Sequence, residues 1–248
     1  YNTAYGASTD AQAKEFDAGL RAYMLKVYNY MASGVLLTGI VALALYQSPA
    51  TIQIFYNVAD LGGGQLQIVG RTGLGWIAML SPLAFILVLN FGAQKLSTSA
   101  MQMIFWAFAA CFGISLSSIL FQYTGVSIAR TFFITATSFG ALSLYGYTTK
   151  KSLSGMGTFL FMGLIGLIIA SVVNMFLGSS MLHFITSVIG VLIFAGLTAY
   201  DTQMIKNQYF MMSTGEMVKK GAIMGAVTLY LDFVNLFMYL LQFLGNRE

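Results

Sequence analysis

Lys220-Gly-Ala-Ile-Met-Gly225-Ala-Val-Thr228-Leu-Tyr-Leu-Asp232-Phe-Val-Asn235-Leu-Phe-Met-Tyr-Leu240-Leu-Gln-Phe243 is a run long and apolar enough to cross a lipid bilayer as a helix. Within it Gly221, Gly225, Thr228, Asp232 and Asn235 fall at i, i+4, i+7, i+11 and i+14. On a helix these positions form one stripe of small and polar residues. Leu229, Leu231, Phe233, Leu236, Phe237 and Leu240 cover the remaining surface. The stripe is expected to face the interior of a helix bundle and the bulk to face elsewhere, Phe237 toward lipid. Gly221-x-x-x-Gly225 also lets a second helix approach closely. A packing seam would account for the glycines. It does not account for Asp232, because a carboxylate in a span costs about 3 kcal/mol. Asp232 is therefore read as functional, with Thr228, Asn235, Gly221 and Gly225 as its supporting stripe.

The same reading extends outward to seven stretches, roughly 28–47, 74–94, 99–121, 128–148, 157–178, 182–205 and 220–243. The whole chain of 248 residues is 58% hydrophobic and only 8% charged. A soluble domain carries roughly 25% charged residues, so this chain could not cover its own surface in water. Open sheet is excluded because its unpaired backbone groups cannot be satisfied in lipid. A barrel would show short alternating segments, which these runs do not. The expected fold is an all-α polytopic membrane protein: a seven-helix transmembrane domain over 28–248, preceded by a polar tail over 1–27. The loop 48–73 contains Gly62-Gly63-Gly64 and is expected to be irregular.

Other functions are excluded or disfavoured. The net charge of +4 comes from scattered basic residues that form no patch, so no nucleic-acid partner is expected. The single cysteine, Cys111, rules out an intrachain disulfide framework and reads as a packed thiol. The only histidine, His183, reads as a surface residue at a helix end. Asn90, and Asn174 with Ser171, read as interhelical hydrogen-bonding groups.

Residues 1–27 have no apolar h-region, so no secretory signal is expected there. Phe16, Leu20, Tyr23 and Val27 recur at helical spacing. That fits an amphipathic helix at the membrane interface, or a frayed tail. The tail and the second, fourth and sixth loops carry Lys14, Arg21, Lys26, Lys95, Lys150, Lys151, Lys206, Lys219 and Lys220. The opposite side carries Arg71, Arg130 and Arg247. This bias puts the amino terminus in the cytoplasm, and seven spans put the carboxyl terminus outside.

Asp201, near the inner end of the sixth span, is the second carboxylate that the apolar runs contain. If the sixth helix ended at Lys206, Asp201 and Asp232 would differ in depth by about 10 Å at about 1.5 Å per residue. If it continues to about Tyr209, the depths match and the two can face each other. Two close carboxylates in a low dielectric cannot both ionise cheaply, so they would share a proton. Such a pair would be a proton-sensitive lock. Its hard oxygen atoms would suit calcium in transit better than a soft metal. No resident cofactor is expected.

Gly196-Leu-Thr-Ala-Tyr-Asp201-Thr-Gln-Met-Ile-Lys206, Leu229-Tyr-Leu-Asp232-Phe-Val-Asn235-Leu-Phe and the ending Leu244-Gly-Asn-Arg247 resemble the bacterial branch of the Bax inhibitor-1 (transmembrane Bax inhibitor motif) family. The resemblance covers about residues 20–248. It implies a seven-helix bundle with the last helix central, in a cell inner membrane. It also implies a pH-sensitive calcium leak gated by the aspartates at Asp201 and Asp232. The arginine that some members carry in the second span has no counterpart in 72–94. Bacterial relatives are associated with inhibiting a membrane-bound AAA protease. The second reading is a non-conducting regulator that binds another membrane protein, such as a protease or respiratory complex, through the apolar outer faces of its helices or its polar tail.

An enzyme is not expected. An intramembrane aspartyl protease would match Tyr200-Asp201, but Leu229-Tyr230-Leu231-Asp232 lacks the Gly-x-Gly-Asp form. The only prolines, Pro49 and Pro82, leave no Pro-Ala-Leu element after it.

Overall fold

A computed structural model describes residues 3–60 and 66–246, with the side chains of 17–59 and 67–246. Gly62, Gly63, Gly64 and Arg247, and the side chains of Lys14 and Phe16, lie outside the described residues.

The described residues form eight α-helices and one hairpin. These are α1 (Thr3–Gln47), α2 (Pro49–Phe55), β1 (Tyr56–Asp60), β2 (Leu66–Arg71), α3 (Gly73–Gly92), α4 (Thr98–Leu116), α5 (Gly125–Thr148), α6 (Ser154–Leu177), α7 (Ser180–Tyr209) and α8 (Gly215–Leu244). A 3-10 turn, Ser117–Phe121, extends α4. Seven helices are long and apolar enough to span a membrane: all but α2, with the spanning part of α1 at Asp17–Gln47. The protein is thus an all-α polytopic membrane protein.

Local chemistry sets where several spans begin. Thr72, Ser97, Thr124, Ser179 and Thr214 each accept a hydrogen bond from the backbone N–H three residues on, at the starts of α3, α4, α5, α7 and α8. Each hydroxyl satisfies one of the donors a helix start leaves open. Gly178, at φ 60°, closes α6 in the left-handed conformation that glycine adopts at least cost.

Helix α8 is the centre of the bundle and packs against α1, α4, α5 and α7. In turn α3 packs on α4, and α6 on α7. Tyr230 of α8 is fully buried among Phe105, Phe108 and Phe112 of α4, with ring centroids at 6.2, 5.1 and 5.7 Å in edge contacts. Thr38 Oγ1 donates to the Ala109 carbonyl at 2.8 Å, so the Tyr230 hydroxyl donates to Thr38 Oγ1 at 2.7 Å. One buried tyrosine thereby joins α1, α4 and α8.

Four expectations are corrected. First, the bulky residues of the last span do not face lipid: Leu229, Phe233, Leu236 and Leu240 are buried, and half-buried Phe237 packs on Phe132. A central helix is surrounded on most of its circumference, so its apolar faces meet protein as well. Second, Leu20, Tyr23 and Val27 do not lie on a separate interfacial helix. They are buried in the bundle core on α1, which runs unbroken through 27/28. Third, 48–73 is ordered on both sides of its glycines as α2 and an antiparallel hairpin, with Tyr56 opposite Arg71 and Val58 opposite Ile68. Tyr56 is buried and donates to the carbonyl of Ile114, which ties the hairpin to α4. Fourth, Asn90 and Asn174 do not bridge helices. Asn90 donates to the Ile86 carbonyl within α3, and Asn174 accepts from the Ser179 N–H at the end of α6. Ser171 alone reaches across, to Tyr239.

Candidate functional site: a carboxylate pair at an interhelical cleft

Helix α7 runs to Tyr209, the longer of the two extents the depth argument left open. Asp201 and Asp232 are accordingly brought level, and their side chains share a hydrogen bond. A bond between two carboxyl groups needs a proton on one of them. Both are buried, at 9% and 4% exposure, and among the described residues no amide, hydroxyl or cationic group donates to Asp232 Oδ2. The carboxyl of Asp201 is thus the one hydrogen-bonding group found for the Asp232 side chain among the described residues.

The pair forms part of the wall of a cleft of about 700 Å³ between α6, α7 and α8. Helix α6 packs on α7 and hardly on α8, and the cleft fills that gap. Thr228, Asp232 and Asn235 of the predicted stripe line it, as does Asp201. Both polar neighbours are satisfied within α8: Thr228 Oγ1 donates to Met224 O and Asn235 Nδ2 donates to Leu231 O. Thr228 and Asn235 stand four residues before and three after Asp232 on the same face of α8. Gly221 and Gly225 do not line the cleft. A Cβ on Gly225 would come within 3.0 Å of Ile205 Cγ2, so this glycine sets the approach of α8 to α7. Gly221 admits the end of the Met212 side chain.

Sequence reasoning missed several residues of the site. Tyr200 and Tyr239 line the cleft, each with its ring laid against a glycine, Gly157 and Gly190 respectively. Gln203, two residues after Asp201, clamps α7 to the segment before α6: its Oε1 accepts from the Leu153 N–H and its Nε2 donates to Lys151 O. Lys206 Nζ donates to Tyr147 O at 2.7 Å and lies over that ring. Thr202 donates to Thr198 O. Its hydroxyl therefore accepts from Ser143, which accepts from Tyr28. This relay of hydroxyls ties α1 and α5 to α7 one residue from Asp201. Tyr200, Gln203 and Lys206 all stand in the motif around Asp201, which was the available signal. Among the described residues no third His, Cys, Asp or Glu joins the pair, so a cation there would meet two carboxyl groups and neutral oxygens. Half-buried His183 stands at the far end of α7, away from the pair.

Fold and site together define a polytopic membrane protein of seven spanning helices, with two buried aspartates that meet between its central helix and the helix before it. The family model described as Inhibitor of apoptosis-promoting Bax1 matches residues 20–248. A protein of Rickettsia prowazekii is 49% identical over 97% of this chain and 96% of its own length. A protein of Caulobacter vibrioides is 44% identical over 100% and 99%. Inner membrane protein YbhL of Escherichia coli is 44% identical over 93% and 94%. The chain belongs to the Bax inhibitor-1 family, in its bacterial branch.

Proposed function

We propose that the protein is a pH-sensitive cation leak of the Bax inhibitor-1 type, with calcium as its permeant ion, and that Asp201 and Asp232 are its gate. The observation that carries this reading is the shared hydrogen bond between two buried carboxyl groups at the wall of an interhelical cleft. While the proton is shared, the bond holds α8 against α7. When pH rises and the proton leaves, two like charges face each other in a low dielectric. Repulsion then favours separation of the helices and frees carboxylate oxygens for a hard cation. Flux therefore rises with pH.

The proposed location is a bacterial inner membrane, as the name of the Escherichia coli relative has it for that protein. The proposed orientation has the amino terminus in the cytoplasm, from the lysine-rich loops. Calcium uptake by proteoliposomes over a pH series tests the leak. Uptake above that of empty liposomes, increasing with pH, is expected. No uptake at any pH would replace this reading with that of a non-conducting regulator of a membrane protein such as an AAA protease.

A further inference from the structure

Helices α1 and α5 both pack on α8 but hardly on each other. The gap between them is a groove, seen as three cavities in succession along the two helices; α8 lines two of them, and at the Arg21 end the Tyr28–Ser143 hydrogen bond joins the walls. At one end, about 510 Å³ lies between Arg21, Tyr28, Gly140 and Tyr147. At the middle, about 370 Å³ lies between Leu36, Gly39, Phe132 and Phe233. From Arg21 to Leu43, α1 rises about 33 Å at about 1.5 Å per residue. The groove thus runs the depth of a hydrocarbon core of roughly 30 Å.

Two features say what fills it. Gly39 on one wall and Gly140 on the other have nothing within 4 Å of where a Cβ would stand. A glycine inside a helix is a cost, and no atom of the described residues occupies the space these two leave open. The rims are apolar and exposed at Leu25, Leu36, Ile40 and Leu144. Charge enters at one end only, on Arg21. Among the described residues the one ion pair is Lys219–Glu216, so Arg21 is not paired there. An apolar trough that runs the depth of the hydrocarbon core, with a guanidinium at its mouth that no described carboxylate pairs, has the chemistry of a phospholipid: an acyl chain along it and a phosphodiester at the mouth.

We propose that the α1–α5 groove is a phospholipid site, with one acyl chain over Gly140 and Phe233 and the phosphate on Arg21. The chain would lie against the side of α8 that carries Phe233, the neighbour of Asp232. The site is independent of whether the protein conducts.

The test is native mass spectrometry of the detergent-purified full chain, titrated with phosphatidylglycerol and, separately, with a diacylglycerol of the same chains. Wild type is expected to bind one phosphatidylglycerol in preference to the diacylglycerol. Arg21→Gln is expected to lose about fivefold in affinity for phosphatidylglycerol alone. Gly140→Leu, which fills the trough, is expected to lose both lipids. Arg21→Gln leaves the core untouched, so it reports even if the leucine variant fails to fold. Equal binding of the two lipids by wild type, or unchanged phosphatidylglycerol binding by Arg21→Gln, would overturn the site. A copurifying protein chain in the groove that excludes lipid would overturn it as well.

Discussion

Gly146 on α5 faces the backbone of Ala199 on α7, two residues from Asp201. A methyl group at Gly146 would strike the Ala199 carbonyl oxygen and stand 2.9 Å from its carbon and 3.1 Å from its Cα. Those atoms are helix backbone and cannot rotate aside, so α5 and α7 would have to part. Gly140 stands on the same helix with nothing within 4 Å of its Cβ position. Gly146→Ala and Gly140→Ala gain the same intrinsic helix propensity, about 1 kcal/mol at most. That gain cancels in their difference and leaves the overpacking term, about 1–3 kcal/mol. At about 2–4 °C per kcal/mol, the two melting points should differ by roughly 2–12 °C, with Gly146→Ala the lower. Thermal unfolding in detergent, followed by circular dichroism, measures both. If Gly146→Ala melts with Gly140→Ala or above it, the close approach of α5 to α7 is wrong. The placement of Asp201 by that contact would go with it.

Gly225→Leu should destabilise by about 1–3 kcal/mol or more, because Ile205 already stands 3.0 Å from a Cβ there. Phe176→Leu, at a side chain 80% exposed on α6, should stay within about 0.5 kcal/mol of wild type in the same assay. Reporter fusions after Lys150 and Ser213 should read as cytoplasmic, and fusions at Gly63 and at the carboxyl terminus as external. A cytoplasmic carboxyl terminus would break the proposed orientation of seven spans.

Sequence reading succeeded where a physical requirement leaves a periodic trace. The spans were legible because lipid demands about 20 apolar residues. Thr228, Asp232 and Asn235 were legible as one face because 3.6 residues make a turn. The contact of Asp201 with Asp232 hung on one boundary, since α7 could end at Lys206 or continue to Tyr209. Apolar burial was not legible: Phe237 and Leu240 look the same facing lipid or facing protein. Leu20, Tyr23 and Val27 gave the spacing of a helix but not its neighbour, and the same stripe suits a membrane surface or a bundle core. In 48–73 the three glycines hid a period-2 signal in Tyr56 and Val58, which turn to one apolar cluster with Ile68. Asn90 and Asn174 were misread because short amides can satisfy themselves on their own helix, and composition does not say when they will.

The central claim is that Asp201 and Asp232 titrate as one unit that opens a cation path. Calcium flux into proteoliposomes from low to high pH, compared among wild type, Asp201→Asn, Asp232→Asn and the double variant, tests it most directly. Each single change removes one half of the proton-sharing pair, so each should flatten the rise of flux with pH. The double variant should then differ little from either single one, because residues that act together are not additive. Single variants that keep the wild-type pH profile, or losses that add in the double variant, would contradict the account.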